Sequence, residues 1–243
     1  MRKIYIVPNF VTTANMACGF YSIIASIHGD FVTASWAIVA AAVFDLMDGR
    51  IARLAKATSR FGVEYDSLSD LLSFGVAPAI LLYRWALWPF DRLGWLAAFL
   101  YLACGALRLA RFNVNVDIAP KGFFQGLPIP MAAGMVATFV IFSDAMNLPV
   151  LPKLVVLTLT LGLASLMVST IRFPSFKELN WRSRASFGYL MVGVLAMILI
   201  AVKPEVTLFL LLSAYVGLSL VWSALRFVMG LGRDPAQSME VRD

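Results

Sequence analysis

Five stretches of 18 to 26 residues contain no Asp, Glu, Lys or Arg: those between Lys3 and Asp30, Lys121 and Asp144, Lys153 and Arg172, Arg184 and Lys203, and Glu205 and Arg226. As helices rising 1.5 Å per residue, such stretches are long enough to cross a hydrocarbon layer about 30 Å thick. Three shorter apolar runs, 31–44, 71–83 and 93–107, reach that length when the helix takes in charged residues at one end. The pattern predicts an all-α, polytopic membrane bundle of about eight helices, over 10–28, 31–56, 62–88, 93–113, 129–147, 151–172, 185–202 and 206–227. Composition agrees: 60% of the residues are hydrophobic, 14% are charged, and the mean hydropathy is +0.82. A soluble domain carries about a quarter charged residues. An ordinary cytosolic enzyme, a disordered tail and a nucleic-acid binder are therefore excluded as readings, despite the net charge of +6.

An even number of spans puts both termini on one side. Sixteen of the 20 Lys and Arg residues then fall on the terminal side, and only Arg84, Arg92, Lys153 and Lys203 on the other. The positive-inside rule makes the terminal side cytoplasmic, and the cell inner (cytoplasmic) membrane is the expected location. Basic charge is thus accounted for by topology and by anionic membrane lipid. Arg2 and Lys3 ahead of an apolar stretch imitate a signal peptide, but Pro8-Asn9 interrupts it, and a retained span capped by Asn9 is the expectation. Cys18 and Cys104 sit inside apolar runs, where neither a disulfide framework nor a thiolate metal site is indicated. The one histidine, His28, falls at the outer end of helix one and is not expected to be catalytic.

Five of the 14 acidic residues (Asp45, Asp48, Glu64, Asp66, Asp70) lie within 26 positions. Asp45 and Asp48 are three apart and Asp66 and Asp70 four apart, so each pair shares one face of its helix. The connecting segment carries Arg53, Lys56 and Arg60, which places the junction at the cytoplasmic end. Two antiparallel helices then aim four carboxylates at one another near the inner interface. Such anions need compensation when partly desolvated. One solution is structural, with Arg50, Arg53 and Arg60 knitting the helices together. The other is a divalent cation, and an all-oxygen donor set favours Mg²⁺ or Mn²⁺. Gly49 and Gly62 speak for the second. Glycine inside a helix costs about 1 kcal/mol relative to alanine, so two of them beside the acids suggest close approach of a ligand or of backbone.

The run Asp45-Leu-Met-Asp48-Gly49-Arg-Ile-Ala52-Arg53, eight residues, and then Gly62-Val-Glu-Tyr-Asp66-Ser-Leu-Ser-Asp70 resembles the complete signature of the CDP-alcohol phosphatidyltransferases, all eight identities at their offsets. Further segments resemble the serine-using bacterial members of that family: 66–78, Leu107-Arg-Leu-Ala-Arg-Phe-Asn113, Gly126-Leu-Pro-Ile-Pro130 and Pro174-Ser-Phe-Lys177. The resemblance covers most of residues 5–180. It implies a single integral membrane domain over 1–243, with catalytic helices at about 10–172 and two additional C-terminal helices at about 185–227.

The resemblance implies a reaction in which the phosphatidyl group of CDP-diacylglycerol passes to the hydroxyl of L-serine, releasing CMP. It implies that Asp45, Asp48, Asp66 and Asp70 hold two Mg²⁺ or Mn²⁺ ions, with Asp70 also the general base. Gly49, Ala52, Arg53, Ser59 and Gly62 would contact the CDP moiety, and a homodimer is the common assembly. For the serine carboxylate, Arg108 and Arg111 share a face at the inner end of helix four, with Asn113 and Lys121 beyond. Arg111 beside Asn113 is the first choice; the competing reading makes these residues positive-inside anchors. Pro8, Asn9, Thr12 and Asn15 form a polar start to helix one and read as capping and helix packing ahead of nucleotide contact. Pro78 is expected to bend helix three, Trp85 and Trp88 to mark the opposite interface, and 173–177 to lie along the inner surface. Glycerol phosphate or inositol phosphate as acceptor, and a divalent-cation transporter, are the rival readings. A transport site belongs near the midplane, whereas these acids cluster at one end.

Overall fold

The computed structural model describes residues 6–54, 60–115, 123–148, 153–174, 191 and 202–228. In chain order these form α1 (Ile6–His28), α2 (Phe31–Leu54), α3 (Arg60–Asp70), a π-helical stretch Leu71–Val76, α4 (Ala77–Leu82), a second π-helical stretch Tyr83–Leu87, and a 3-10 turn Trp88–Phe90. There follow α5 (Asp91–Asn115), β1 (Phe123–Gln125), α6 (Ile129–Ala145), α7 (Lys153–Val168), β2 (Arg172–Pro174) and α8 (Pro204–Val228). Nearly all of the helix expected over 185–202 lies outside the described residues, as do Ser59 and Lys121.

The protein is a helical, multi-pass membrane protein. Asn9–His28, Phe31–Asp48 and Pro204–Leu225 are each long and apolar enough to cross a membrane, as is the 54-residue stretch Phe61–Val114. That last stretch is a hairpin. The 3-10 turn and Asp91, at φ 45°, reverse the chain, and the two arms then meet in antiparallel order. Gly94 lies against the Leu87 carbonyl, Leu102 against Gly75, and Asn113 against Ser67. A Cβ on Gly94 would collide with the Leu87 carbonyl oxygen, so the tight return requires glycine.

The first arm of the hairpin departs from the single helix expected over 62–88. Pro78 has no N–H to send back to the Phe74 carbonyl, and the Tyr101 hydroxyl on α5 donates to that oxygen instead, at 3.3 Å. Around this point the helix widens, and the Ala77 N–H reaches the Leu72 carbonyl five residues back. Tyr101 and Phe74 are among the largest fully buried side chains.

Two further expectations need correction. Among the described residues α1 already includes Ile6, so Asn9 sits within α1 rather than capping it; its carbonyl accepts the Thr13 hydroxyl at 2.7 Å. The helix expected to run to Arg172 stops at Val168. There Ser169 turns back, its hydroxyl donating to the Leu166 carbonyl at 2.8 Å. The chain then pairs as β2 with β1 in a short antiparallel ladder, Gln125 opposite Arg172 and Phe123 opposite Pro174. Gly126 holds the corner with φ 74°, its N–H on the Ile171 carbonyl at 2.9 Å. Pro128 and Pro130 then start α6, where missing N–H groups cost nothing.

Small residues and serines bring α1 against the first hairpin arm. The Ser69 and Ser73 hydroxyls, both fully buried, donate to the Thr12 and Asn15 carbonyls of α1, each at 3.1 Å. Gly19 lies one turn further along, so close that a Cβ there would stand 2.7 Å from Ser73 Cα. This is the packing by small and hydroxylated residues that suits a lipid solvent, in which apolar burial gives no drive between helices. α8 lies along α6, where Phe209 stacks on Phe142 with ring centroids 4.8 Å apart.

Candidate active site

α2 carries Asp45 and Asp48, and α3 carries Asp66 and Asp70. The crossing of these helices brings one carboxylate oxygen from each of Asp45, Asp48 and Asp66 within 4.8 Å of one another. The Asp70 carboxyl group lies against that of Asp45. Asp48 is buried, at 5% exposure, and the other three are half-buried.

The third wall is α1, which presents Thr12 and Asn15, both buried, three residues apart on one face. The Thr12 hydroxyl donates to Asp48 Oδ2 at 3.1 Å, and the Asn15 amide donates to Asp70 Oδ1 at 3.3 Å. The serines that fasten α1 to the hairpin are therefore the same ones that set these two donors beside the carboxylates. Beneath them the Thr13 and Tyr65 hydroxyls share a hydrogen bond at 2.9 Å, which ties α1 to α3 a second time. The sequence reading assigned Thr12 and Asn15 to capping and packing and so missed their contact with the acids. The signal was present: hydroxyl and amide side chains at helical spacing in an otherwise apolar span have few uses other than binding a polar partner.

Clustered carboxylates repel in a medium of low dielectric, and one hydroxyl and one amide donor do not neutralise them. Among the described residues Asp45, Asp66 and Asp70 form no ion pair. Asp66 Oδ1 is buried with no hydrogen-bond partner at all. An all-oxygen cluster with a bare carboxylate oxygen fits a hard divalent cation, and Asp45, Asp48 and Asp66 are the residues placed to share one, with Asp70 adjoining.

On the far side of Asp70, α5 supplies Arg108. It is buried at 8% exposure, its guanidinium is 5.9 Å from the Phe112 ring centroid, and its Nε has no partner. It is near enough to Asp70 for their charges to act on one another. Arg111 turns the other way. Its guanidinium donates to the Val168 and Ser169 carbonyls at 3.3 and 3.4 Å, closing the C-terminus of α7, where a cation also suits the helix dipole. The Asn113 amide donates to Ser67 Oγ at 2.9 Å, holding α5 to α3. Gly49, Ala52 and Arg53 continue α2 past the aspartates, and Gly62 lies in the first turn of α3. Trp88 is exposed at the other end of the hairpin, while Trp85 packs edge-on against Phe139 at 5.8 Å. His28 ends α1, at that same far end.

Comparison with known proteins points the same way. The CDP-alcohol phosphatidyltransferase family model matches residues 5–229. A CDP-diacylglycerol–serine O-phosphatidyltransferase of Helicobacter pylori is 35% identical over 230 residues, 94% of this chain and 93% of that protein. The Bacillus subtilis protein of the same name is 40% identical over 172 residues, 71% of this chain and 92% of that one. The Methanocaldococcus jannaschii protein of that name is 38% identical over 180 residues, 72% of this chain and 77% of its own.

Proposed function

This chain belongs to the CDP-alcohol phosphatidyltransferase family, and from that premise we propose that it moves the phosphatidyl group of CDP-diacylglycerol onto the hydroxyl of L-serine, yielding phosphatidylserine and CMP. The observation that carries the reading is the three-aspartate oxygen cluster with Asp70 beside it and Arg108 behind. The family is metal-dependent. We take the ions to be two Mg²⁺ or Mn²⁺, held by Asp45, Asp48, Asp66 and Asp70. When bound they supply charge neutralisation on the diphosphate and on the departing CMP.

The remaining work falls to the side chains. Asp70 accepts the proton of the incoming hydroxyl as its oxygen attacks the phosphorus on the lipid side, and the bond from that phosphorus to the CMP oxygen breaks. A carboxylate is a weak base toward an alcohol, so proton removal and attack run together. Gly49, Ala52, Arg53, Ser59 and Gly62 bind the CDP moiety, with the Arg53 fork matched to phosphate. The acceptor carboxylate needs a cation beside Asp70. Arg108 has the better claim, since its buried Nε is unpartnered and Arg111 is committed to the end of α7; Arg111, Asn113 and Lys121 are the remaining candidates. The enzyme is a single membrane unit, with helices over about 10–172 doing the chemistry and two additional C-terminal helices over about 185–227. It lies in the inner membrane as a homodimer with termini and site facing the cytoplasm, as the excess of Lys and Arg on that side supports.

The test is purified protein with Mn²⁺ or Mg²⁺, CDP-diacylglycerol and a panel of labelled alcohols, followed by lipid chromatography. Labelled phosphatidylserine and stoichiometric CMP are expected. Label entering lipid only from glycerol phosphate or inositol phosphate would overturn the acceptor and leave the chemistry standing.

A further inference from the structure

Three buried polar atoms near Asp70 have no hydrogen-bond partner: Asn15 Oδ1, Asp66 Oδ1 and Arg108 Nε. Asn15 is the most constrained of the three. It is fully buried, its backbone carbonyl receives the Ser73 hydroxyl at 3.1 Å, and its amide nitrogen donates to Asp70 Oδ1. Turning the amide over would set its oxygen against the carboxylate, acceptor to acceptor, so the orientation is dictated by its neighbour. The amide oxygen is thus left as a bare acceptor facing away from Asp70, in a place where an unmet polar atom is costly.

The missing partner is a donor that arrives with the reaction. In a 1,2-amino alcohol such as serine, two carbon atoms separate the hydroxyl from the ammonium. A group that touches the general base on one edge and offers an acceptor on the other matches that pairing. Arg108 provides a bare donor for a carboxylate. Resting on the serine reading above, we propose that Asn15 is an acceptor-binding residue. Its amide oxygen takes a hydrogen bond from the substrate ammonium, while its amide N–H holds Asp70 in position for the neighbouring hydroxyl.

Two substitutions separate these two duties. Asn15→Leu removes both; Asn15→Asp keeps an oxygen acceptor, removes the N–H that holds Asp70 and sets an acceptor against that carboxylate in its place. With purified enzyme, Mn²⁺ and CDP-diacylglycerol, kcat and KM are measured for L-serine and KM for the nucleotide lipid. Inhibition by 3-hydroxypropionate, which lacks the ammonium, is measured alongside. Asn15→Leu is expected to raise the serine KM about tenfold or more, leave the CDP-diacylglycerol KM unchanged, and erase the preference for serine over 3-hydroxypropionate. Asn15→Asp is expected to keep the serine KM within about threefold while kcat falls. A raised CDP-diacylglycerol KM with an unmoved serine KM overturns the assignment, as does an unchanged preference. Should Asn15→Leu fail to fold in detergent, the Asn15→Asp enzyme decides alone: a serine KM that rises together with the fall in kcat rejects the proposal. Wild-type enzyme that ignores serine altogether would reject the serine reading itself, before either variant is made.

Discussion

Asp70 is held from two sides, its Oδ1 accepting the Asn15 amide N–H at 3.3 Å and its carboxyl group lying against that of Asp45. Replacing it with asparagine keeps its size and removes its ability to take a proton. Asp70→Asn should lower CMP release by about 10²- to 10⁴-fold with the melting temperature held, read by a coupled CMP assay and by thermal unfolding in detergent. An active, metal-dependent Asp70→Asn enzyme would remove the base assignment. Thr12 acts on the neighbouring carboxylate from the same helix face. Thr12→Val keeps the shape and deletes the donor to Asp48 Oδ2. It should weaken Mn²⁺ binding by about tenfold, measured by electron paramagnetic resonance of free Mn²⁺, with little change in stability. The aspartates were legible in the sequence because their spacing of three and four is a helical period, visible without knowing any neighbour. Thr12 and Asn15 were not, since their partners lie 36 and 55 residues away along the chain.

At the scale of elements, the site depends on how closely α1 approaches the first hairpin arm. Gly19→Ala would put a methyl carbon against Ser73 Cα, which is backbone and cannot rotate aside. The helices must part, at a cost of about 1–3 kcal/mol, and Thr12 and Asn15 move with α1. A lower melting temperature and a matching loss of activity are expected. Gly162→Ala on α7 is the control, because nothing lies within 4 Å of a Cβ there. It should be neutral or more stable by up to about 1 kcal/mol, from helix propensity alone; a loss as large as that of Gly19→Ala would discount the packing argument. Helix ends were harder to read than helix existence. Uncharged residues continue past Val168, so the charge-free gap runs to Arg172. The stop comes from Ser169 and from the Arg111 guanidinium on another helix. The break around Pro78 was expected as a bend. Its form, with two π-helical stretches and a tyrosine serving the Phe74 carbonyl, needs α5 in place.

For the whole molecule, carboxylates drawn from two helices make the folded state depend on what neutralises them. A divalent ion that binds only the folded protein stabilises it by mass action, about 2.7 kcal/mol at a hundred times its Kd. Mg²⁺ or Mn²⁺ should therefore raise the melting temperature, chelator should reverse the rise, and Asp66→Asn should abolish it. A wild-type melting curve indifferent to both ions would count against a metal site. Topology has its own check. A fluorescent protein fused after Asp243 should fold and fluoresce in the cytoplasm, and a dark fusion with intact protein would invert the assigned orientation.

The charge-free stretches, the excess of basic residues on one side and the spacing of the four aspartates are properties of the chain as a string. They settled the membrane class and the family before any contact was known, because lipid leaves a helix few alternatives. Which side chains hold those aspartates, which arginine faces Asp70 and which caps α7, and where a buried atom goes unpartnered depend on distances between helices remote in sequence. Only close packing in three dimensions could decide them.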